Sequence, residues 1–422
     1  MTEAPANRAY LRGGAAIAVA VGAMNLATYA FTILAAHRLG PQPFGALIAL
    51  LNVMQVAAVL SLALQATAAR RIAREPDDVA HVERAILLVG RRTSFGLGAL
   101  FLALSPAINA ALKLDSLATA AMLAVSVVPF TMMGAQAGVL QGERRWGPLA
   151  LVYLTAGVPR LVLGAALMWW RPEESAAFAA VTLGTFVPVL VGWVALREPR
   201  GHRQHGGDHH TAGALWWETV YNSQALLAFL ALSSLDIVIA RNTLDANQAG
   251  LYAAGLILVK AVTFLPQFVV VLAFPSMGTD DAPRRALTLS LGLVALSGAA
   301  AIVLVRLLPD VALVFVGGDK YAGVSDRLWV FAVLGTVLSM VQLLVYSVLA
   351  RQTRSSGILL WAGLVALLAV GAGGSSVHGL VDRVLLVDSV LLVALLVLGL
   401  RRRMDPAVAV GVVAAERPGS AD

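Results

Sequence analysis

The chain has 422 residues, 59% of them hydrophobic and 13% charged, with a mean hydropathy of +0.80. A soluble domain is roughly a quarter charged, so that class is excluded; the absence of cysteine excludes disulfides, thiol nucleophiles and thiolate metal sites. The net charge of +7 hints at nucleic acid, but the cations are distributed as in a membrane protein, as the loops below show.

The apolar residues fall into twelve runs, approximately 14–36, 44–67, 93–112, 117–140, 147–169, 175–196, 216–239, 247–273, 286–308, 326–349, 356–376 and 384–400. Each is near the ~20 residues that cross a bilayer as helix, and none shows the alternation of a barrel strand. The fold class predicted is therefore all-α and polytopic, with about twelve transmembrane helices. Arg8 and Arg12 precede a first run that lacks a cleavage-site pattern, so it is expected to stay as a span. With the N-terminus inside, the inner loops collect Arg70, Arg71, Arg84, Arg91, Arg92, Arg144, Arg145, Arg284, Arg285 and the tail arginines. The outer loops keep only Arg38, Lys113, Arg171, Arg241, Lys320, Arg327 and Arg383. That bias predicts a multi-pass protein of the cytoplasmic membrane with both termini in the cytoplasm.

Two inner loops stand out. Residues 70–92 mix acids with arginines and are predicted to form a short surface helix; residues 197–214 are rich in glycine and histidine and form a natural linker. The organisation expected is a six-helix lobe over 1–196, a cytoplasmic linker over 197–214, a second six-helix lobe over 215–403 and a disordered cytoplasmic tail over 404–422. His202, His205, His209 and His210 sit in the linker between glycines, where a flexible segment is the better reading than a metal site. No cofactor and no metal are expected. Trp169, Trp170, Trp216 and Trp217 lie at span ends and read as interfacial belts.

A faint internal repeat relates the halves. HRLGPQPFGALIALLNV from His37 and ARNTLDANQAGLYAAGLIL from Ala240 each close a helix on an Arg, turn, and open the next span near a Gly with an aromatic beside it. Phe44 and Gly45 correspond to Tyr252 and Gly250. Inverted or parallel repeats of this kind are common in secondary transporters.

The RLGPQPFG turn resembles the opening hairpin of bacterial polysaccharide flippases, a family of the multidrug/oligosaccharidyl-lipid/polysaccharide (MOP) exporter superfamily. SLDIVIARNTLDANQAGLYAAGLILVKAVTFLP is similar to the start of that family's second half, and LPDVALVFVGGDKYAG with LVYSVLARQTRSSG to its ninth-to-eleventh-span region. The resemblance implies a V of two six-helix lobes that opens inward and moves a lipid-linked oligosaccharide or polysaccharide precursor across the membrane. It implies no enzyme activity. The partners it implies are the lipid-linked sugar, membrane lipids and enzymes of polysaccharide assembly, with no nucleic acid.

Such a substrate carries a diphosphate, for which Lys and Arg are suited. Three cations fall inside spans: Arg160, Lys260 and Arg306. Lys260 shares a helix face with Thr263 and Gln267. Arg160 follows Pro159 and shares a face with Tyr153. Substrate contact and helix packing stand as equal readings for both, and snorkelling to the headgroups is the plain reading of Arg306. Asn25, Thr28, Tyr29 and Thr32 form a polar seam in span one, which with Asn52, Gln55 and Gln65 of span two lines a wet path or joins helices. Candidate substrate-binding residues are therefore Arg160, Lys260, Asn25, Tyr29, Gln55 and Gln267. Asp236 is expected to pair with Arg241 or Lys260, or to bind a coupling proton or sodium ion; Arg38 and Arg241 are expected as outer-leaflet anchors.

Three rivals remain. A cation or drug antiporter of the same superfamily needs a deep acid in the first lobe, and spans one to six as drawn contain no Asp or Glu. A membrane-embedded enzyme of polysaccharide assembly needs an acidic motif or a large outer loop; Asp77-Asp78 and Asp280-Asp281 fall on the cytoplasmic side beside arginines. An ATP-driven pump is not among them, since the phosphate-binding loop it needs is missing from the sequence. The third rival is a scaffold that kept the fold and lost transport.

Overall fold

A computed structural model describes residues 4–74, 79–197, 212–273, 282–349, 354–371, 373 and 376–401. The histidine cluster, Asp77-Asp78, Asp280-Asp281 and the expected tail lie outside them. Among the described residues all regular structure is helical. In chain order the helices are α1 (Ala4–Arg38), α2 (Pro41–Arg74), α3 (Val79–Ala103), α4 (Ser105–Leu112), α5 (Leu117–Gly142), α6 (Trp146–Trp170) and α7 (Glu174–Leu196). There follow α8 (Ala212–Thr243), α9 (Ala246–Ala273), α10 (Ala282–Leu307), α11 (Pro309–Val316), a 3-10 segment Asp319–Arg327, α12 (Leu328–Leu349), α13 (Arg354–Gly371) and α14 (Val377–Arg401).

Nine described helices are long and apolar enough to cross a membrane, and Gly357–Gly371 is a shorter apolar one. The third expected span is displaced. Its helix runs over Val79–Ala103, and residues 105–112 form a separate short helix opened by Pro106. Proline suits the first turn of a helix because its missing N–H has no partner there in any case. The surface helix expected within residues 70–92 is likewise absent from its described part: Arg70 and Arg71 end α2, whereas Arg84, Arg91 and Arg92 ride on α3. At ~1.5 Å per residue, the 34 residues of α2 exceed the ~30 Å hydrocarbon layer and project beyond it. Leu64, Ala68 and Ile72 of α2 pack there with Val82, Ile86 and Val89 of α3, so the projection has an apolar core of its own.

The helices sort into two groups. In the first, α1 lies along α6, α2 along α5, and α5 and α6 against α7; in the second, α12 lies against α9, α10 and α14, and α13 against α8 and α14. Between them α2 packs along both α8 and α9, while α1 meets the second group in shorter contacts with α9 and α11 and, at its end, with the 3-10 segment. One continuous apolar core joins the groups, with Phe31, Phe44, Tyr252, Tyr321 and Phe331 fully buried in it.

The groups meet most closely at the end that carries the α1–α2 and α8–α9 turns. A Cβ on Gly45 would lie 3.0 Å from the Gly250 Cα, and one on Gly250 would overlap the Pro41 carbonyl. The two glycines that mark the internal repeat therefore touch each other, because only a residue without a side chain lets two backbones approach so far.

Two polar latches flank this crossing. α4 closes on Lys113 in the left-handed conformation, with a φ of 48°, and leaves its last carbonyls without helical partners. Arg241 of α8 fills them, Nε donating to the Leu112 carbonyl at 2.7 Å and Nη2 to the Lys113 carbonyl at 2.6 Å. Asn242 adds a bond to the Ala111 carbonyl at 2.7 Å. On the other flank the last carbonyls of α1 accept from the 3-10 segment: Tyr321 Oη donates to Ala36 at 3.1 Å and Lys320 Nζ to His37 at 3.0 Å. In both latches the second group thus caps a helix end of the first.

Candidate functional site

Below the crossing, charged side chains converge from three helices of the second group. Asp236 of α8 is 3% exposed. Its Oδ1 accepts from the Ile237 N–H at 2.7 Å and its Oδ2 from the Tyr252 hydroxyl of α9 at 3.0 Å. Lys260 lies two turns further along α9, within electrostatic reach of Asp236. Asp388 of α14 is 2% exposed, and its Oδ1 has no hydrogen-bond partner among the described residues; it lies within reach of Asp236 and Tyr252. A buried carboxylate oxygen without a donor is costly, so Asp388 is the least satisfied group of this cluster.

The first group contributes one cation. Arg160 of α6 rests over the Phe31 ring of α1, with its guanidinium carbon 4.5 Å from the ring centroid, and its buried Nε has no hydrogen-bond partner among the described residues. Pro159 precedes it inside the helix. α7 passes close behind, where a Cβ on Gly184 would lie 3.2 Å from the Arg160 backbone. Arg160 also lines a small cleft between α2, α5, α6 and α7.

The two cations are close enough across the groups to act on each other electrostatically. Both side chains are half-buried among the helices. Two like charges facing one another in low dielectric repel unless an anion or water lies between. Asp236 offsets Lys260 in part; no carboxylate among the described residues is paired with Arg160.

The other candidates divide. Tyr29 is a strut between the groups: its hydroxyl donates to the Ile257 carbonyl at 2.9 Å, and its ring packs on Phe264 and Phe315 with centroids 5.8 and 5.7 Å away. Asn25 is half-buried and already engaged, and Gln55 is half-buried. Asn52 turns back to the Ile48 carbonyl at 2.9 Å. Gln65 donates to the Tyr153 hydroxyl at 2.6 Å and to Gln141 Oε1 at 2.9 Å. Thr263 bonds the carbonyl of Lys260 itself at 2.9 Å. The Gln267 side chain lies outside the described residues.

Arg241 is not beside Asp236. It is 3% exposed and turned toward α4, with Glu174 and Asp115 of the first group in electrostatic reach, so the expectation of an exposed outer anchor is corrected. Arg38 does sit exposed, over Trp169 at 4.2 Å, and Arg306 is exposed over Trp329 at 5.1 Å. The early start of α3 also places Glu83 on a membrane-length helix, 9% exposed, and Glu174 opens α7. Asp388 is missing from the candidates drawn from sequence, although a lone Asp inside the run LLVDSVLLVALL is its own signal. Among the described residues no group of three or more His, Cys, Asp or Glu is placed to hold a metal ion.

A family profile of polysaccharide biosynthesis proteins matches residues 10–279. The chain belongs to that family. No curated protein matches it. Three solved structures share the fold of this family member. An inward-facing multidrug resistance MATE family transporter of the MOP superfamily superposes with a TM-score of 0.73 at 13% identity, over 90% of this chain and 94% of its own. Lipid II flippase MurJ in an inward closed conformation gives 0.68 at 10% identity, over 90% and 86%. The MATE multidrug transporter DinF-BH gives 0.63 at 16% identity, over 92% and 94%. The family member thus has the MOP transporter fold, in agreement with the resemblance drawn from its turns.

Proposed function

We propose that the protein is a flippase, moving a lipid-linked oligosaccharide or polysaccharide precursor across the cytoplasmic membrane by alternating access between two lobes, α1–α7 and α8–α14. The observation that carries this reading is the pair of half-buried cations Arg160 and Lys260, one from each lobe, close enough to act on each other electrostatically. A diphosphate has the charge and the oxygen geometry to bridge two such cations. Closure at the glycine crossing by both latches, on the side where the cation bias puts the exterior, supports an inward-facing resting state.

In this reading Asp236 and Asp388 are the coupling carboxylates. Asp236 lies within reach of Lys260 and Asp388 within reach of Asp236, so a proton or cation gained at Asp236 strengthens the hold of Lys260 on an anion, and its loss weakens it. The carboxylate pair is also what favours the second reading, a cation antiporter of the MATE kind. The facing cations weigh against a cationic substrate.

The test is transport by the purified protein in liposomes carrying a fluorescent lipid-linked oligosaccharide, scored by how fast the sugar becomes protected from an added glycosidase. Flipping that Arg160→Ala and Lys260→Ala each reduce about 10- to 100-fold, in variants that still reconstitute, is the expected result. Normal flipping in both variants removes the pair from the mechanism. A cationic dye that is exported while the lipid-linked sugar stays put selects the antiporter instead.

A further inference from the structure

The arginines whose side chains the structure describes are nearly all engaged. They rest on an aromatic ring, as Arg38 and Arg197 do, or donate to a backbone carbonyl, as Arg84 and Arg145 do. Arg91 and Arg92 of α3 do neither. Both are exposed, and neither has a hydrogen bond, ion pair or ring contact among the described residues. Val82, Ile86 and Val89 carry the other face of α3 into the core shared with α2, so the pair is turned away from the protein.

Its depth follows from the far end of the same path. α3 passes into α4 through Leu104, whose N–H still bonds the Leu100 carbonyl and whose own carbonyl accepts from Ile108. α4 then ends at Leu112 and Lys113 against Arg241. The roughly 20 residues from Arg92 to Leu112, at ~1.5 Å each, span the ~30 Å hydrocarbon layer. Arg91 and Arg92 therefore stand at headgroup level on the opposite face, which the cation bias makes the cytoplasmic one. On their hydrocarbon side the surface is bare and apolar: Phe95 is 63% exposed and Leu100 51%. Between these two side chains lie Gly96 and Ala99, both exposed, and a Cβ on Gly96 would meet nothing within 4 Å. At helical spacing Gly96 and Ala99 follow Arg92 by one and two turns, so the shallow dent they leave runs down from the guanidinium groups. Free phosphate, or an acidic protein in the cytoplasm, would meet the charges and leave this dent uncovered. An anion joined to hydrocarbon fits both parts.

We propose that Arg91 and Arg92 bind the phosphate of an anionic phospholipid of the inner leaflet, with one acyl chain lying over Gly96 and Ala99 beside Phe95. Guanidinium groups suit phosphate by charge and by the geometry of their N–H donors. The bound lipid ties the first lobe to the inner leaflet through α3. The inference does not rest on the flippase reading, since α3 carries neither cation of the candidate site.

The test uses the full-length protein in nanodiscs of equal parts phosphatidylglycerol and phosphatidylcholine, with one or the other brominated on its acyl chains. Because the chain has no cysteine, a fluorophore on Leu102→Cys, exposed just below the dent, reports which lipid lies there. Brominated phosphatidylglycerol is expected to quench about threefold or more strongly than brominated phosphatidylcholine, since each cation near the surface favours an anionic lipid roughly fivefold and the fluorophore also meets bulk lipid. Arg91→Gln with Arg92→Gln should make the two lipids quench alike. Gly96→Leu, which fills the dent, should lower the preference. Arg84→Gln removes a cation of the same helix outside the site and should leave it unchanged, as should excess inorganic phosphate at matched ionic strength. Equal quenching in the parent protein overturns the site and returns the pair to an acidic protein partner. A preference that survives the double substitution also overturns it. So does one that Arg84→Gln lowers as far, which is surface charge alone, or one that inorganic phosphate abolishes. Should the double variant fail to insert, Arg92→Gln by itself must lower the preference by about half or more, and an unchanged preference there overturns the site equally.

Discussion

The two lobes keep their buried cations by different means. Lys260 belongs to a network of its own lobe: Asp236 is within its reach, and Tyr252 and Asp388 adjoin Asp236 in turn. Arg160 has an aromatic ring beneath it, an apolar wall beside it, and a buried donor left over. The second lobe can therefore stand empty with much of its charge compensated internally, whereas the first is completed only by an anion from outside. Compensated charge is suited to being exchanged during a cycle; uncompensated charge is suited to recognition.

The sharpest way to break this comparison is to remove each cation. Lys260→Ala and Arg160→Ala should each reduce flipping about 10- to 100-fold, the range of a lost charged hydrogen bond of ~1.5–3 kcal/mol. Lys260→Arg should recover more activity than Arg160→Lys, because Lys260 works here as a charge among charges and Arg160 as a plane stacked on Phe31. Flipping rates of the four variants in liposomes check both statements.

Next in size are the carboxylates. Asp236→Asn removes a negative charge near Lys260, so the substrate anion should bind about tenfold more tightly and leave more slowly, with flipping reduced. Asp388→Asn should lower the response of flipping to an imposed proton or sodium gradient and leave substrate affinity within about threefold, since Asp388 lies in reach of Asp236 and Tyr252 and Lys260 is compensated through Asp236. Affinity and gradient dependence measured on the same variants separate the two roles.

The closing crossing gives a smaller effect. Gly250→Ala inserts a methyl against the Pro41 carbonyl and should shift the resting state toward opening at the turn end, by about 1–3 kcal/mol as for other overpacked sites. Arg241→Gln should shift it the same way, by roughly 1.5–3 kcal/mol, as the Leu112 and Lys113 carbonyls lose a charged donor. Because the chain has no cysteine, Ser116→Cys and Asn247→Cys can carry spin labels without background, and the distance between them reports the separation. The smallest change is expected for Arg38→Ala, whose exposed stacking on Trp169 contributes ~0.5–1 kcal/mol and touches neither cation.

Much of this was legible in the sequence because lipid permits so few solutions. Apolar runs of bilayer length gave the helices, and the turns at His37 and Ala240 marked Gly45 and Gly250 as corresponding positions, although their direct contact was not foreseen. The third span was misplaced because residues 93–112 are continuously apolar; Pro106, which ends the helix there, was the overlooked signal. Arg241 looked like an anchor because its partners are carbonyls at the end of α4, and backbone acceptors leave no trace in side-chain patterns. The same holds for Tyr29 and the Ile257 carbonyl. The Arg160–Lys260 pairing crosses a hundred residues of chain, and no local period encodes it; each cation was visible alone.

The most direct measurement is a double-mutant cycle on flipping of a lipid-linked oligosaccharide with Arg160→Ala, Lys260→Ala and the double variant. If the two cations hold one diphosphate between the lobes, the double variant is hardly slower than either single one, a strongly non-additive result. Losses that multiply independently, or single variants that flip at the parental rate, would contradict a shared anion.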